Sequence, residues 1–133
     1  MILLDTHALL WWLGDPDRLP AAVRKRLDDL VASGDSARVS AISCWEIAML
    51  VDHGRLELTM PATAWVHHAR SLPFLEFVPL GPEEALAAVA LPDFPHRDPA
   101  DRMIVATALR LGATLVTADQ RLRDYAPLAT LWD

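Results

Sequence analysis

Residues 99–119 read PADRMIVATALRLGATLVTAD, a stretch that predicts a helix passing directly into a strand. Proline is favoured at the first position of a helix, so Pro99 predicts a helix start, and the apolar residues that follow extend it to Leu111. Gly112 is typical of a helix end. The next segment, 113–117, predicts a short strand. A helix that leads straight into a strand is the repeating unit of α/β proteins.

The rest of the chain continues this alternation. Residues 2–5 begin with an uninterrupted apolar run, which fits a parallel strand that is buried on both faces. Further strands are predicted at 37–41, 75–80 and 130–132. Helices are predicted at 6–14, 20–33, 43–54, 61–72 and 82–91, with a short helical turn after Asp119 and with Thr6 and Ser43 as the caps of the first and third helix. Because such crossovers are right-handed, we expect a three-layer α/β sandwich with a mostly parallel central sheet.

Length and composition set limits on the kind of protein. At 133 residues the chain fits one domain spanning 1–133. It is 53% apolar and 23% charged, which excludes a disordered chain and leaves more apolar residues than a small monomer needs. No segment has the length of a membrane helix, and the start lacks the features of a signal peptide. We therefore expect a cytoplasmic protein that does not bind membranes.

Acidic residues occur in segments that are otherwise apolar. Asp5 ends the first strand, Glu46 interrupts an apolar helix, Asp101 leads another such helix, and Asp119 follows a strand. In parallel sheets, sites form at the carboxyl ends of the strands. Buried carboxylates lose solvation and repel one another, so a cluster of them makes physical sense around a cation. Hard oxygen ligands suit Mg²⁺ or Mn²⁺.

Each of these acids also has a purely structural interpretation. Glu46 could pair with an arginine or form a capping box with Ser43. Asp98 precedes Pro99 and could be an N-cap, a metal ligand or both, and Asp5 and Asp119 could cap helices as well. Arg102 could pair with an acid or contact a phosphate. Taken together, the acids indicate a metal site more strongly than any one of them does.

Net charge does not decide the partner. The chain carries −6, which argues against a polyanion, but bound divalent cations would neutralise much of the acidic cluster. The basic residues could then form positive patches beside it. The residues in question are Arg18, Arg24, Lys25, Arg26, Arg97, Arg102, Arg121 and Arg123. The histidines do not predict a zinc site, since His67 and His68 are adjacent and His7, His53 and His96 lack ligand-like spacing.

Four segments, in this order and spacing, resemble the PIN-domain ribonucleases, in particular the VapC-like toxins of bacterial toxin–antitoxin pairs. They are residues 4–11 (LDTHALLW), 43–48 (SCWEIA), 98–108 (DPADRMIVATA) and 115–119 (LVTAD). By position, Asp5, Glu46, Asp101 and Asp119 match the family's acidic site, and Thr6 and Thr117 match the hydroxyl residues beside it. Asp98 is a possible fifth ligand, and the pair of Asp98 and Asp101 leaves open which one the metal prefers.

The resemblance implies Mg²⁺-dependent endonucleolytic cleavage of RNA by metal-activated water, with a 5′-phosphate on one product. It also implies a homodimer and a cognate antitoxin, whose peptide covers an apolar groove and places a basic side chain in the acidic site. Two other functions stay open. One is a Mg²⁺-dependent phosphatase with Asp5 as nucleophile, against which stands His7 in place of a second acid. The other is a noncatalytic module that binds RNA or a protein partner.

Overall fold

The computed structural model describes residues 1–133 and contains a central sheet of five parallel strands. The strands are β1 (Ile2–Leu4), β2 (Ala37–Ser40), β3 (Leu75–Val78), β4 (Thr114–Val116) and β5 (Thr130–Leu131). Their order in the sheet is β3-β2-β1-β4-β5, and every neighbouring pair is parallel. The predicted parallel sheet is therefore confirmed, and β1 lies at its centre.

Seven α-helices connect and cover the strands. They are α1 (Thr6–Gly14), α2 (Ala21–Ala32), α3 (Ala41–Asp52), α4 (Ala62–Arg70), α5 (Pro82–Val89), α6 (Pro99–Leu111) and α7 (Gln120–Arg123), with a 3₁₀ turn at Pro16–Arg18. Helix α6 has the predicted bounds, and Gly112 ends it in the left-handed conformation at φ 62°. No helix combines the length and apolar character needed to cross a membrane.

Side chains of the sheet alternate between two cores, which makes the sandwich three-layered. In β1, Ile2 and Leu4 belong to a core shared with α1 and α2, whereas Leu3 belongs to a core shared with α6. Successive side chains of a strand point to opposite faces, so a wholly apolar β1 requires helices on both sides. The predicted three-layer fold is confirmed.

The strand order also places a crevice at the carboxyl edge of the sheet. The chain moves from β1 to β2 and β3 on one side, while β4 and β5 lie on the other side. The crevice of a parallel sheet forms where the strand order reverses, here between β1 and β4. Asp5 follows β1 and Asp119 lies three residues after the end of β4.

The cap of α1 differs from the prediction. Thr6 is the first helical residue and is buried, and Asp5 is the N-cap, whose Oδ1 accepts a hydrogen bond from the Ala8 amide at 2.8 Å. Its extended backbone, with φ −74° and ψ 171°, is the conformation an N-cap adopts. Strand and helix thus share Asp5 as their junction.

The cap of α3 differs in the same way. The predicted cap Ser43 lies inside the first turn of the helix, and Ser40 is the N-cap, whose Oγ accepts from the Ile42 amide at 3.2 Å. Consequently β2 ends at Ser40 and α3 begins at Ala41, two residues earlier than predicted. The error arose because both serines satisfy the local preference for a capping hydroxyl.

Candidate metal centre

A cavity of about 620 Å³ opens at the carboxyl edge of the sheet, and all five predicted acids line it. They reach it from different elements: the end of β1, helix α3, the first turn of α6 with its cap, and the loop after β4. The acids are Asp5, Glu46, Asp98, Asp101 and Asp119. Residues far apart in the sequence therefore converge because neighbouring strands and helices meet at this edge of the sheet.

Three of the acids are helix caps, as their structural interpretation predicted. In each case one oxygen, Oδ1, accepts the hydrogen bond that caps the helix, and the second oxygen takes no part in the cap. The capping distances are 2.8 Å from Ala8 N to Asp5, 3.2 Å from Asp101 N to Asp98 and 2.9 Å from Arg121 N to Asp119. Capping and cation binding are therefore compatible functions of the same carboxylate.

Glu46 is held by hydroxyl groups rather than by an arginine. The Thr6 hydroxyl donates a hydrogen bond to Glu46 Oε1, and Thr6 Oγ1 lies 2.9 Å from Ser43 Oγ. Thr6 and Ser43 are both buried. Neither the arginine ion pair nor the capping box with Ser43 is present, and Ser43 contacts Thr6 instead of capping the helix.

Thr117 links the ends of β1 and β4. It is fully buried; its Oγ1 accepts from the Asp119 amide at 3.1 Å, and its side chain forms a hydrogen bond with the Asp5 carboxylate. A single hydroxyl thus interacts with two of the acids.

Burial and neighbouring negative charges raise the pKa values of two acids in the cluster. Burial, and then the nearby charges of Asp98, Glu46, Asp119 and Asp5, raise the pKa of Asp101 to about 7. Burial also raises the pKa of Asp5, against the opposing effect of hydrogen bonds from Thr117 and the Ala8 amide. Both shifts have the sign expected when carboxylates are desolvated among like charges, and a bound cation would oppose them.

His96 belongs to this cluster, although its sequence position did not indicate it. The residue is only 4% exposed, with Nδ1 3.5 Å from Asp101 Oδ2 and Nε2 3.5 Å from Asp119 Oδ2. The ring stacks on Phe94, with centroids 5.6 Å apart. His96 precedes α6 in an irregular loop, where residue spacing carries no geometric information. The apolar Phe94 in this loop is the one local sign that it turns inward.

Arg102 supports the loop rather than the acids. Its Nε donates to the His96 carbonyl at 2.8 Å and its Nη1 donates to the Ala88 carbonyl at 2.9 Å, while the guanidinium lies 5.3 Å from the centre of the Phe94 ring. Arg102 forms no ion pair with an acid, because two of its donors bind backbone carbonyls instead. A contact with phosphate stays a prediction.

The donor groups fit a hard divalent cation. Five of the twelve residues that line the cavity are carboxylates, and side-chain nitrogen or oxygen atoms of His96, Asp101 and Asp119 lie within 4.8 Å of one another. His96 Nε2 is a buried polar atom with no hydrogen-bond partner, which marks this part of the cluster as incomplete by itself. Such a donor set is suited to Mg²⁺ or Mn²⁺ more than to zinc.

Positively charged side chains lie at the rim of the acidic cavity. Arg55 and Arg121 line it, and a second cavity of about 520 Å³ shares Arg55 and Trp11 with it and continues to Arg18. The Arg18 guanidinium lies 4.6 Å from the centre of the Trp11 ring. Trp11 is half-buried against the core and also lines this groove.

Comparison with known proteins gives two sequence matches. The profile of the family described as "PIN domain" matches residues 2–128. Ribonuclease VapC22 of Mycobacterium tuberculosis is 38% identical over 124 residues, which cover 93% of this chain and 91% of that protein.

Solved structures of similar fold cover nearly the whole chain. VapBC2 from Rickettsia felis bound to a DNA fragment from its promoter superposes with a TM-score of 0.72, at 18% identity and 100% coverage of both chains. A toxin–antitoxin complex from Klebsiella pneumoniae superposes with a TM-score of 0.66, at 17% identity, covering 98% of this chain and 97% of that one. At these identities the likeness establishes the fold.

Proposed function

The chain belongs to the PIN-domain family, and on that premise we propose that it is the toxin of a toxin–antitoxin pair, a Mg²⁺-dependent endoribonuclease. The observation that carries the proposal is the convergence of five carboxylates on one cavity at the carboxyl edge of the sheet. A relative at 38% identity that is named a ribonuclease supports hydrolysis of RNA phosphodiester bonds.

The four acids in apolar surroundings are the catalytic and metal-binding residues of this proposal. Asp5, Glu46, Asp101 and Asp119 would hold Mg²⁺, or Mn²⁺ in its place, and Asp98 would serve first as the cap of α6. Asp101 is preferred to Asp98 as the ligand because its side chain is the less exposed and lies next to His96. When bound, the cation supplies positive charge that neutralises the phosphate and increases the acidity of the attacking water.

Buried hydroxyls orient the carboxylates. Thr6 donates to Glu46, Ser43 lies within hydrogen-bond distance of Thr6, and Thr117 contacts the Asp5 carboxylate and the Asp119 amide. Residues around a metal site that fix its ligands commonly affect affinity and activity by 10- to 100-fold. These hydroxyls restrict the carboxylates to a narrow range of positions before substrate binds.

An RNA substrate fits the charges at the rim. Arg55 and Arg121 can contact phosphates on either side of the bond that is cut, where the carboxylates alone would repel them. Along the neighbouring groove, Trp11 offers an aromatic surface and Arg18 a further positive charge. Single-stranded RNA is recognised through such stacking and phosphate contacts.

The antitoxin would cover an apolar groove between α3 and α4. Cys44, Ala48, Ala62 and Val66 line this groove, a cavity of about 220 Å³. Trp45, on the same helix as two of these residues, is 57% exposed. We propose that an apolar antitoxin segment packs there and that a basic side chain of the antitoxin enters the acidic cavity. Co-expression with the product of an adjacent small gene should relieve toxicity, and Trp45→Glu should weaken that relief.

A homodimer is proposed through the outer surface of α5 and α6. These helices pack on each other and expose Leu86 and Val89, which are 73% and 81% accessible, together with Leu109 and Leu111. Large exposed apolar side chains on neighbouring helices can contribute to an interaction surface. A symmetric dimer would bury the same patch on both copies.

The test uses purified protein and total RNA, with Mg²⁺ or with EDTA. We expect cleavage in Mg²⁺ only, and a loss of at least about 100-fold in Glu46→Gln and Asp101→Asn, because each removes a charged ligand. Asp28→Asn is the matched control, since Asp28 is exposed on α2, away from the cavity, and loses the same charge.

Equal cleavage in EDTA, or by both cluster variants, would overturn the metal-nuclease proposal. Mapping of the product ends should show a 5′-phosphate, and cleavage of a circular RNA would establish endonucleolytic attack. A phospho-aspartate trapped at Asp5 would favour a phosphatase instead.

A further inference from the structure

His96 occupies the space between two of the proposed ligands. Its two ring nitrogens each lie 3.5 Å from a carboxylate oxygen, Nδ1 from Asp101 and Nε2 from Asp119. Asp101 belongs to the first turn of α6, whereas Asp119 follows β4 and caps α7. The imidazole therefore connects two elements whose relative position decides the distance between the two carboxylates.

The ring lies behind the carboxylates rather than in the cavity. Asp101 and Asp119 line the 620 Å³ cavity, and His96 does not. Its side chain is 3% exposed, so neither nitrogen is open to solvent. A group that contacts two ligands from the protein side, without reaching the cavity, acts on the cation through those ligands.

The surrounding residues fix the ring in place. Phe94 stacks on it and meets Tyr125 edge-on, with centroids 5.0 Å apart and planes at 80°. The Tyr125 hydroxyl donates to the Pro92 carbonyl at 2.7 Å, and Arg102 holds the His96 carbonyl at 2.8 Å. These contacts join the loop to both α6 and the segment after α7, so His96 cannot swing away without breaking several of them.

We propose that His96 is a positioning residue that holds Asp101 and Asp119 in the arrangement that binds the divalent cation, an inference that rests on the metal site of the proposed function. In the neutral imidazole one nitrogen carries hydrogen, so in either tautomer one of the two 3.5 Å contacts places an N–H group beside a carboxylate oxygen. The ring also keeps the two carboxylates apart, since it occupies the space between them.

The experiment measures binding of Mn²⁺, without RNA, by electron paramagnetic resonance and calorimetry. His96→Phe keeps an aromatic ring on Phe94 but removes both nitrogens, and we expect it to weaken Mn²⁺ binding by about 10- to 100-fold. His96→Gln keeps an N–H donor, and we expect it to lose less than about tenfold. Thermal unfolding in EDTA establishes that each variant is folded, and His68→Phe, at an exposed position on α4, is the control.

Four outcomes decide the matter. Weaker binding in His96→Phe with partial retention in His96→Gln supports the positioning role. Wild-type Mn²⁺ affinity in His96→Phe overturns the positioning role but leaves the metal site intact. The same holds if His96→Gln loses as much Mn²⁺ affinity as a variant that lacks one of the ligand carboxylates. Coupling of Mn²⁺ to a ring nitrogen that disappears in His96→Gln also overturns it, because His96 would then be a ligand. Absence of Mn²⁺ binding by the wild-type protein overturns both the inference and the proposed metal site.

Discussion

Thr6 connects helices α1 and α3 beside the cavity. It is the first residue of α1, it is buried, and its hydroxyl donates to Glu46 in α3. The side chain of the neighbouring Asp5 caps α1, so this part of the chain both ends a strand and supports a carboxylate. Small changes at Thr6 should therefore affect the cluster more than the fold.

Thr6→Val keeps the shape of the side chain but removes the hydroxyl. We expect the rate of RNA cleavage to fall by about 10- to 100-fold, because Glu46 loses its donor and its fixed orientation. Thr6→Ser should retain most of the rate. Initial rates on an end-labelled RNA measure the effect, and wild-type cleavage by Thr6→Val would show that Glu46 needs no such support.

Asp101 should make the stability of the metal-free protein depend on pH. Its pKa is raised from 3.8 to about 7. The folded protein then keeps on Asp101 a proton that the unfolded chain releases near pH 4. Between about pH 4 and about pH 7 the folded state therefore binds more protons than the unfolded state does. The free energy of unfolding therefore falls as pH rises from about 4 to about 7.

Asp101→Asn cannot ionise and should remove this part of the pH dependence. A shift of about three pKa units corresponds to about 4 kcal/mol. Because solvent partly screens the charge, we expect Asp101→Asn to raise the free energy of unfolding at pH 8 by about 2 kcal/mol relative to wild type. Urea unfolding in EDTA at pH 4.5 and pH 8 measures it, with Asp28→Asn as control. A variant that is no more stable than wild type at pH 8 would contradict the expectation.

At the scale of elements, direct junctions between strands and helices bring the acids to the cavity. Helix α1 begins two residues after β1 ends, and α3 begins immediately after β2. In each case the residue at the junction, Asp5 or Ser40, caps the helix. Because no loop intervenes, Glu46 has little freedom to move away from the sheet edge.

Ser40→Ala tests the cap of α3. We expect the free energy of unfolding to fall by about 1 kcal/mol, since the Ile42 amide loses its acceptor in a buried place. Ser40→Thr keeps the hydroxyl and should cost less. Denaturant unfolding measures both, and an unchanged midpoint in Ser40→Ala would argue against the cap.

At the scale of the whole molecule, a chain of net charge −6 must still admit a polyanion. The distribution of charge resolves this conflict, because arginines lie at the rim of the acidic cavity and along the adjoining groove. Arg55 lines both cavities, and its side chain forms no ion pair with the protein's own acids. It is the best placed of these residues to bind a phosphate.

Arg55→Gln should weaken RNA binding by about 3- to 10-fold. The slope of the logarithm of the binding constant against the logarithm of salt concentration should become shallower by about one unit. RNA binding is measured with Ca²⁺ in place of Mg²⁺, or with each substitution made in the Glu46→Gln variant, so that cleavage does not interfere. Arg26→Gln, at an exposed position on α2 away from both cavities, should bind as wild type does. An equal effect of both substitutions would indicate only a general loss of positive charge.

The proposed dimer is tested at Val89, the most exposed of the large apolar side chains on α5 and α6. Val89→Glu should shift the dimer toward monomer by at least about 10-fold in dissociation constant, since a charge would be desolvated at the interface. Light scattering after gel filtration measures the mass. Val31→Glu, on an exposed part of α2, is the control, and a monomeric wild-type protein would refute the dimer.

Local patterns were sufficient for the elements and for the acids. The apolar run before Asp5 and the helix-to-strand stretch at 99–119 predict a parallel sheet, because apolar periodicity and helix-ending glycine act within a few residues. The same reasoning misplaced the caps at Thr6 and Ser43, where neighbouring residues satisfy the same preference. Only the backbone conformation at the end of each strand distinguishes them.

The sequence by itself therefore determined the succession of strands and helices along the chain and the presence of carboxylates at strand ends, since these depend on short-range preferences. The tertiary structure alone decided that Thr6 supports Glu46, that Arg102 binds backbone carbonyls and that His96 lies between Asp101 and Asp119. The physical reason is that these contacts join residues brought together by strand pairing and by an irregular loop. Neither process leaves a periodic signal in the chain.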